Sequence, residues 1–201
     1  MSNDREQIFS SIKSALDILP ERTEYPQWDD TLPISNSIDL GESLKDQFAE
    51  KIEAASGKFF DSRDSLVEFL VSEGSTFGYC DPALASHFEG VEGISFDTEY
   101  DMAKVDEYKF GITKGSAGIA ESGTIVLRDQ DTSARLGALA PWIHVAVIAE
   151  KDIVPSPLQA IQRFGDDPSV IFCTGPSKTA DVEGILIQGV HGPGVQIALI
   201  V

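Results

Sequence analysis

The carboxy-terminal half of this chain is dominated by short, almost unbroken apolar runs, and few folds accommodate them. Trp142-Ile-His-Val-Ala-Val-Ile-Ala-Glu150, Ser169-Val-Ile-Phe-Cys-Thr174, Gly184-Ile-Leu-Ile-Gln-Gly-Val190 and Val195-Gln-Ile-Ala-Leu-Ile-Val201 are rich in β-branched residues. A run that is apolar at successive positions has no polar face to turn to water, so each reads as a strand covered on both sides. Upstream, strand and helix patterns alternate. Gly57–Asp61, Thr76–Cys80 and Gly93–Phe96 read as strands. Ser62–Gly74, with Ser62 as N-cap and Gly74 at the C-terminal cap, and Asp81–Glu89, with proline near its first turn, read as the helices between them. After Tyr108 follow the strands Lys109–Thr113, Ala117–Glu121 and Gly123–Asp129, and later the helix Ser156–Phe164. The expected class is α/β, a largely parallel sheet flanked by helices.

Two further helices precede this pattern. Asp4 to Leu19 places Ile8, Ile12, Leu16 and Leu19 on one face and stops at Pro20. Glu42 to Ser56 does the same with Leu44, Phe48, Ile52 and Ala55, with Gly57 at the capping position. Residues 20–40 hold three prolines and no period, which predicts a linker lying over the surface and pinned by Tyr25 and Trp28. The expected organisation is an N-terminal helix and linker over 1–40 and one α/β domain over 41–201, a length that needs no disulfide or metal to fold.

The formal net charge of −18 disfavours nucleic acid and anionic membrane as partners, and disfavours anionic ligands unless a local cluster of donors overrides it. Cys80 and Cys173 lie far apart without metal-binding spacing and are expected to be reduced thiols. No metal site is expected. The polar amino terminus has no signal-peptide core, and the apolar stretch around Ala140–Ala149 is too short to cross a bilayer. A cytoplasmic protein without an integral membrane segment is expected.

Three motifs carry candidate chemistry. The glycine-rich stretch Gly115–Leu127 sets Glu121 in a turn between two buried strands, where a carboxylate can act as base, nucleophile or substrate clamp. The same residues also suit a plain hairpin, with Ser122 and Thr124 satisfying backbone amides. Thr174-Gly-Pro-Ser-Lys-Thr-Ala-Asp181 follows an apolar strand, and its hydroxyls and lysine resemble an anion cradle at a strand-to-helix turn. It lacks the glycine and the Gly-Lys-Ser/Thr triplet of a Walker A loop. A capped helix start, with Ser177 or Thr179 as N-cap and Asp181 or Glu183 at the positive dipole end, fits it equally. His191, between glycines beyond a strand, can move protons near neutral pH or simply bond backbone within a tight turn.

Taken together, Gly111-Ile-Thr113, Ile119-Ala-Glu-Ser-Gly-Thr124, Thr174–Glu183 and Gly189-Val-His-Gly-Pro193 resemble the lactate utilization protein C family, which carries the LUD domain. The resemblance spans Phe110–Val201, and the opening Asp4–Leu16 is similar to the family's first helix. Ser122, Lys178 and Val182 stand where the family usually has threonine, arginine and isoleucine; lysine lacks arginine's planar bidentate fork. The resemblance implies a fold similar to the sugar-phosphate isomerase and CoA-transferase group, with a ligand cleft at strand ends. It also implies a cluster-free subunit of a system oxidising L-lactate to pyruvate, whose partner subunits carry iron–sulfur clusters. No cofactor is then expected on this chain itself.

The candidate site combines Glu121 and His191 as proton acceptors with Thr113, Gly123, Thr124, Gly175, Ser177, Lys178, Thr179 and Asp181 as binders of a small carboxylate or phosphate. The Cys173–Gly194 stretch would form one wall of a cleft facing the Glu121 turn. Two other classes stay open: a free-standing enzyme on an acyl-CoA or sugar-phosphate ligand, with Glu121 as nucleophile, and a non-catalytic assembly or regulatory subunit.

Overall fold

The computed structural model describes residues 2–18, 38–165, 167, 169–180 and 185–201, and the chain divides into two units, Met1–Pro33 and Ile34–Val201. In the first unit α1 spans Ser2–Asp17, with Asp4 in its first turn and Ile8, Ile12 and Leu16 at helical spacing. The predicted linker, with Tyr25 and Trp28, falls almost wholly outside the described residues.

The second unit opens with α2 (Leu44–Ala54), whose N-cap Ser43 accepts a hydrogen bond from Asp46 N and whose Phe48 and Ile52 are buried. Ser56, not Gly57, takes the left-handed conformation after this helix, with φ 71°. Gly57 is required for another reason: a Cβ there would meet Ile52 Cγ1 at 2.7 Å. Then come β1 (Lys58–Phe60), α3 (Arg63–Ser72, N-capped by Ser62), β2 (Phe77–Cys80), the short α4 (Ala85–Phe88) and β3 (Ser95–Asp97). The proline-led helix predicted over Asp81–Glu89 is thus a single turn.

Next are β4 (Phe110–Lys114), β5 (Ala117–Ile119), β6 (Thr124–Arg128), α5 (Arg135–Leu139) and β7 (Ile143–Ile148). The chain continues through β8 (Ile153–Val154), α6 (Pro157–Phe164), β9 (Val170–Cys173), β10 (Lys178–Ala180), β11 (Leu186–Gln188) and β12 (Val195–Ile200).

Six strands form a parallel sheet, in the order β1-β12-β7-β4-β2-β3; of the four apolar runs, those of β7 and β12 lie in it, whereas β9 pairs antiparallel with β6 elsewhere and leaves Phe172 44% exposed. The protein is therefore α/β, a largely parallel sheet flanked by helices. A second sheet, β8-β5-β6-β9, is mixed, and β10 and β11 make an antiparallel ribbon. Alternation along the central strands builds two cores. Phe110, Ile112, Ile143, Val145, Val147, Ile197 and Leu199 face Leu66, Leu70 and Phe88. Ala146, Ile148, Ala198 and Ile200 face Phe48, Ile52 and Ile125.

Two predictions fail in this region. Ser177–Ala180 does not open a helix: Lys178, Thr179 and Ala180 pair with Gln188, Ile187 and Leu186. Local hydroxyl and acid spacing resembles a helix cap, but an apolar partner strand five residues on offers the backbone a ladder instead. Within the run Gly184–Val190, Leu186–Gln188 is a strand but not a covered one, with Leu186 60% exposed.

Candidate functional site

Two tight backbone approaches fix the loops that carry the motifs. Gly123 has φ 64° and a Cβ there would lie 2.1 Å from Ile52 N; Gly175 has φ 72° and a Cβ there would lie 2.1 Å from Ala55 O. Only glycine fits at either point. Both motif loops are thereby seated on α2, and these glycines pack against that helix and its C-terminal cap. Lys178 completes the clamp: its Nζ donates to Ala55 O at 3.1 Å and to Ser56 Oγ at 3.2 Å, satisfying a carbonyl left open at the end of α2.

Beyond that clamp lies a cleft of about 320 Å³, walled by Thr174–Lys178, His191–Pro193 and Leu139, with Gln196 of β12 among its lining residues. Ser177 N donates to Pro193 O and Gly189 N donates to Ser177 O, which ties the two loops together. Among the described lining residues Lys178 is a cation and none is a carboxylate, although the chain carries 33 acidic residues. Cys173 also lines the cleft, and burial pushes its thiol up to about 11, so it stays protonated and unreactive at neutral pH. The cleft sits at the amino end of β12 and beyond the carboxyl end of β9, so on the parallel sheet it lies opposite the end where open α/β sheets usually place ligands.

The structure thus gathers Gly175, Ser177, Lys178 and His191 around one cleft. It keeps Glu121, Thr113, Gly123, Thr124 and Thr179 out of the lining. Glu121 sits in the β5–β6 turn, half-buried, with its backbone N donating to Pro155 O. The hydroxyls beside it bond each other instead of backbone amides: Ser122 Oγ lies 2.6 Å from Thr124 Oγ1, which lies 2.7 Å from Thr174 Oγ1. That chain, not a shared wall, links the Glu121 turn to the cleft. Thr113 is fully buried, with its Oγ1 2.8 Å from His144 Nε2. Thr179 belongs to the ribbon, and Asp181 lies outside the described residues.

Sequence reasoning missed His144 and Gln196. Both sit inside apolar runs, at 0% and 3% exposure, and their pairing follows from the β7–β12 register, which sets them side by side. Burial lowers the His144 pKa to about 4, against a smaller opposing effect of its bond to Gln196, so the ring is neutral at physiological pH. Also missed was a larger cleft of about 540 Å³ lined by Tyr79, Tyr100, Met102, Ser133 and Leu136. Beside it, Asp81 at the carboxyl end of β2 accepts from Ala83 N, Ser133 N and Ser133 Oγ, and Tyr79 bonds Ser133. Asp81-Pro82 directly after an apolar strand was the available signal.

No described helix is long and apolar enough to cross a membrane, and no three described His, Cys, Asp or Glu side chains gather to hold a metal ion.

Comparison with known proteins places these motifs in a family. A lactate utilization protein C from Oceanobacillus iheyensis is 40% identical over 91 residues, covering 41% of this chain and 39% of that protein. One from Bacillus velezensis is 35% identical over 116 residues, covering 52% and 48%. These matches span less than half the length of either relative. A lactate utilization protein C from Macrococcus caseolyticus is 28% identical over 200 residues, covering 87% and 85%. A crystal structure of a DUF162 family protein from Deinococcus radiodurans is similar with a TM-score of 0.43 and 16% identity, covering 78% of this chain and 98% of that one. The LUD domain pattern matches residues 37–201, taking in the sheet, α2 and every described residue of the cleft; the chain belongs to the LUD domain family.

Proposed function

We propose that this protein takes part in lactate utilization, as a cluster-free subunit of a system that oxidises L-lactate to pyruvate and whose iron–sulfur clusters reside on partner subunits. The observation that carries the proposal is the match, over 87% of the chain, to a protein named lactate utilization protein C. The cleft supports a small carboxylate as its ligand. It offers an ammonium, a serine hydroxyl, an imidazole and an amide, and no described carboxylate opposes an anion there. Lys178 spends two of its three donors on α2, leaving one for a ligand. The reading of a free-standing transferase with Glu121 as nucleophile has less support, because Glu121 does not line this cleft.

The test is made in the native host grown on L-lactate. Lysates with and without this chain are assayed for lactate-dependent dye reduction, and tagged protein is used to capture partners. Activity lost without the chain, restored by its return, and co-purification of brown, cluster-bearing subunits are the expected results. Unchanged activity in its absence would overturn the proposal. Lys178→Met and His191→Gln, each tested for restoration, are expected to lower activity at least tenfold if the cleft is the working site.

A further inference from the structure

Gln196 is 3% exposed, yet it is one of the residues that line the cleft. Among the described residues its amide meets one partner. His144 Nδ1 lies 3.1 Å from Gln196 Oε1 and 2.9 Å from Gln196 Nε2. A ring nitrogen either donates or accepts, so it engages one of these two atoms and leaves the other without a partner among the described residues. The far side of the ring decides which. There Thr113 Oγ1 stands 2.8 Å from His144 Nε2, in a fully buried position, with no other side-chain partner among the described residues.

Two arrangements are available. If Gln196 N–H donates to Nδ1, the proton sits on Nε2 and is donated to Thr113, whose own O–H is then buried without an acceptor. If instead Thr113 O–H donates to Nε2, the proton sits on Nδ1 and is donated to Gln196 Oε1. The second arrangement satisfies both ring nitrogens and the threonine hydrogen, whereas the first leaves a buried donor unmade, which is the costly outcome. It also leaves both amide hydrogens of Gln196 without an acceptor on His144, in a residue that lines the same cleft as Ser177 and Lys178.

We propose that Gln196 is a ligand-binding residue whose amide N–H group donates to a carboxylate oxygen in the cleft, and that Thr113 and His144 are positioning residues that hold that amide with its donors outward. The proposal rests on the small-carboxylate reading of the cleft. It adds three strands' worth of side chains, β4, β7 and β12, to a site otherwise made of loops.

The first measurement needs no variant. Long-range ¹H–¹⁵N correlation spectra of the full chain report which nitrogen of His144 carries the proton. Protonation on Nδ1 is expected, and protonation on Nε2 overturns the proposal. Sodium L-lactate and sodium pyruvate are then titrated, with acetate and phosphate as further anions. Lactate or pyruvate is expected to shift the Gln196 side-chain amide signals. Gln196→Glu, which keeps shape but replaces the donors with a carboxylate, is expected to bind at least tenfold more weakly. It is also expected to gain affinity for neutral lactamide. Cleft signals that move while the Gln196 amide stays still, or equal lactate binding by Gln196→Glu, overturn the assignment. A Gln196 response to acetate or phosphate but not to lactate or pyruvate would sustain the donor role and count against lactate as the ligand. No response to any of the four overturns the proposal. Thr113→Val is expected to mix the two tautomers and Thr113→Ser to restore the Nδ1-protonated one, which a merely space-filling role would not do.

Discussion

His144 is fully buried between β4 and β12, and among the described residues its side-chain partners, Thr113 and Gln196, are both neutral and offer an imidazolium no counter-charge. Its folded pKa of about 4 therefore lies below the ordinary value of 6.5. Between those values the unfolded chain binds a proton that the folded chain refuses, so stability falls as pH drops from about 6.5 toward 4 and this contribution then levels off. At pH 4.5 the loss attributable to this one ring is about 2–3 kcal/mol. Urea unfolding of wild type and His144→Gln at pH 7 and pH 4.5 isolates it, because the carboxylates are common to both. A smaller pH dependence in the variant is expected, and equal dependence would mean that the ring gains water on protonation without unfolding. The sequence shows a histidine inside an apolar run and nothing more. Its partners are 31 and 52 positions away, and the register that brings them together is a tertiary fact.

At the scale of elements, α2 is the support on which the motif loops rest. Its amphipathic spacing was legible: Phe48 and Ile52 face inward as four-residue periodicity requires. What it supports was not. Glycines in Glu121-Ser-Gly123 and Thr174-Gly175 suggest ligand approach as readily as helix approach, and only the fold distinguishes them. The distinction has an energetic signature. Gly90 also has positive φ, 72°, but no atom stands within 4 Å of a Cβ there. Gly90→Ala should cost about 1–2 kcal/mol, the conformational penalty alone. Gly123→Ala adds a collision with the α2 backbone and should cost about 3 kcal/mol or more. Equal losses, measured by urea unfolding, would show that α2 yields without resistance and is not the fixed support. The ribbon β10–β11 was legible in one strand only. Leu186–Gln188 has an apolar run, whereas Lys178-Thr-Ala180 has no strand pattern of its own and is recruited by its partner.

For the whole molecule, the apolar runs were sufficient to predict a parallel sheet but not its order. The last strand, β12, is inserted between β1 and β7, so the first and last strands of the sheet-forming region are neighbours. Periodicity marks which residues can lie in a sheet; which strands meet is settled by crossovers and packing, on which a run such as Val195–Ile200 is silent. Charge acts at this same scale. With 33 acidic and 15 basic residues, the compact state brings like charges together, while ion pairs such as Lys104–Asp97 at 2.8 Å oppose that repulsion locally. The two effects respond oppositely to salt. Screening length falls from about 30 Å at 10 mM to about 8 Å at 150 mM salt, which removes long-range repulsion more completely than contact attraction. Stability should therefore rise over that range, and a gain of about 1 kcal/mol would lift Tm by about 2–4 °C. Thermal unfolding in sodium chloride at pH 7 reads this directly, and a falling Tm would mean that the paired charges outweigh the excess of 18.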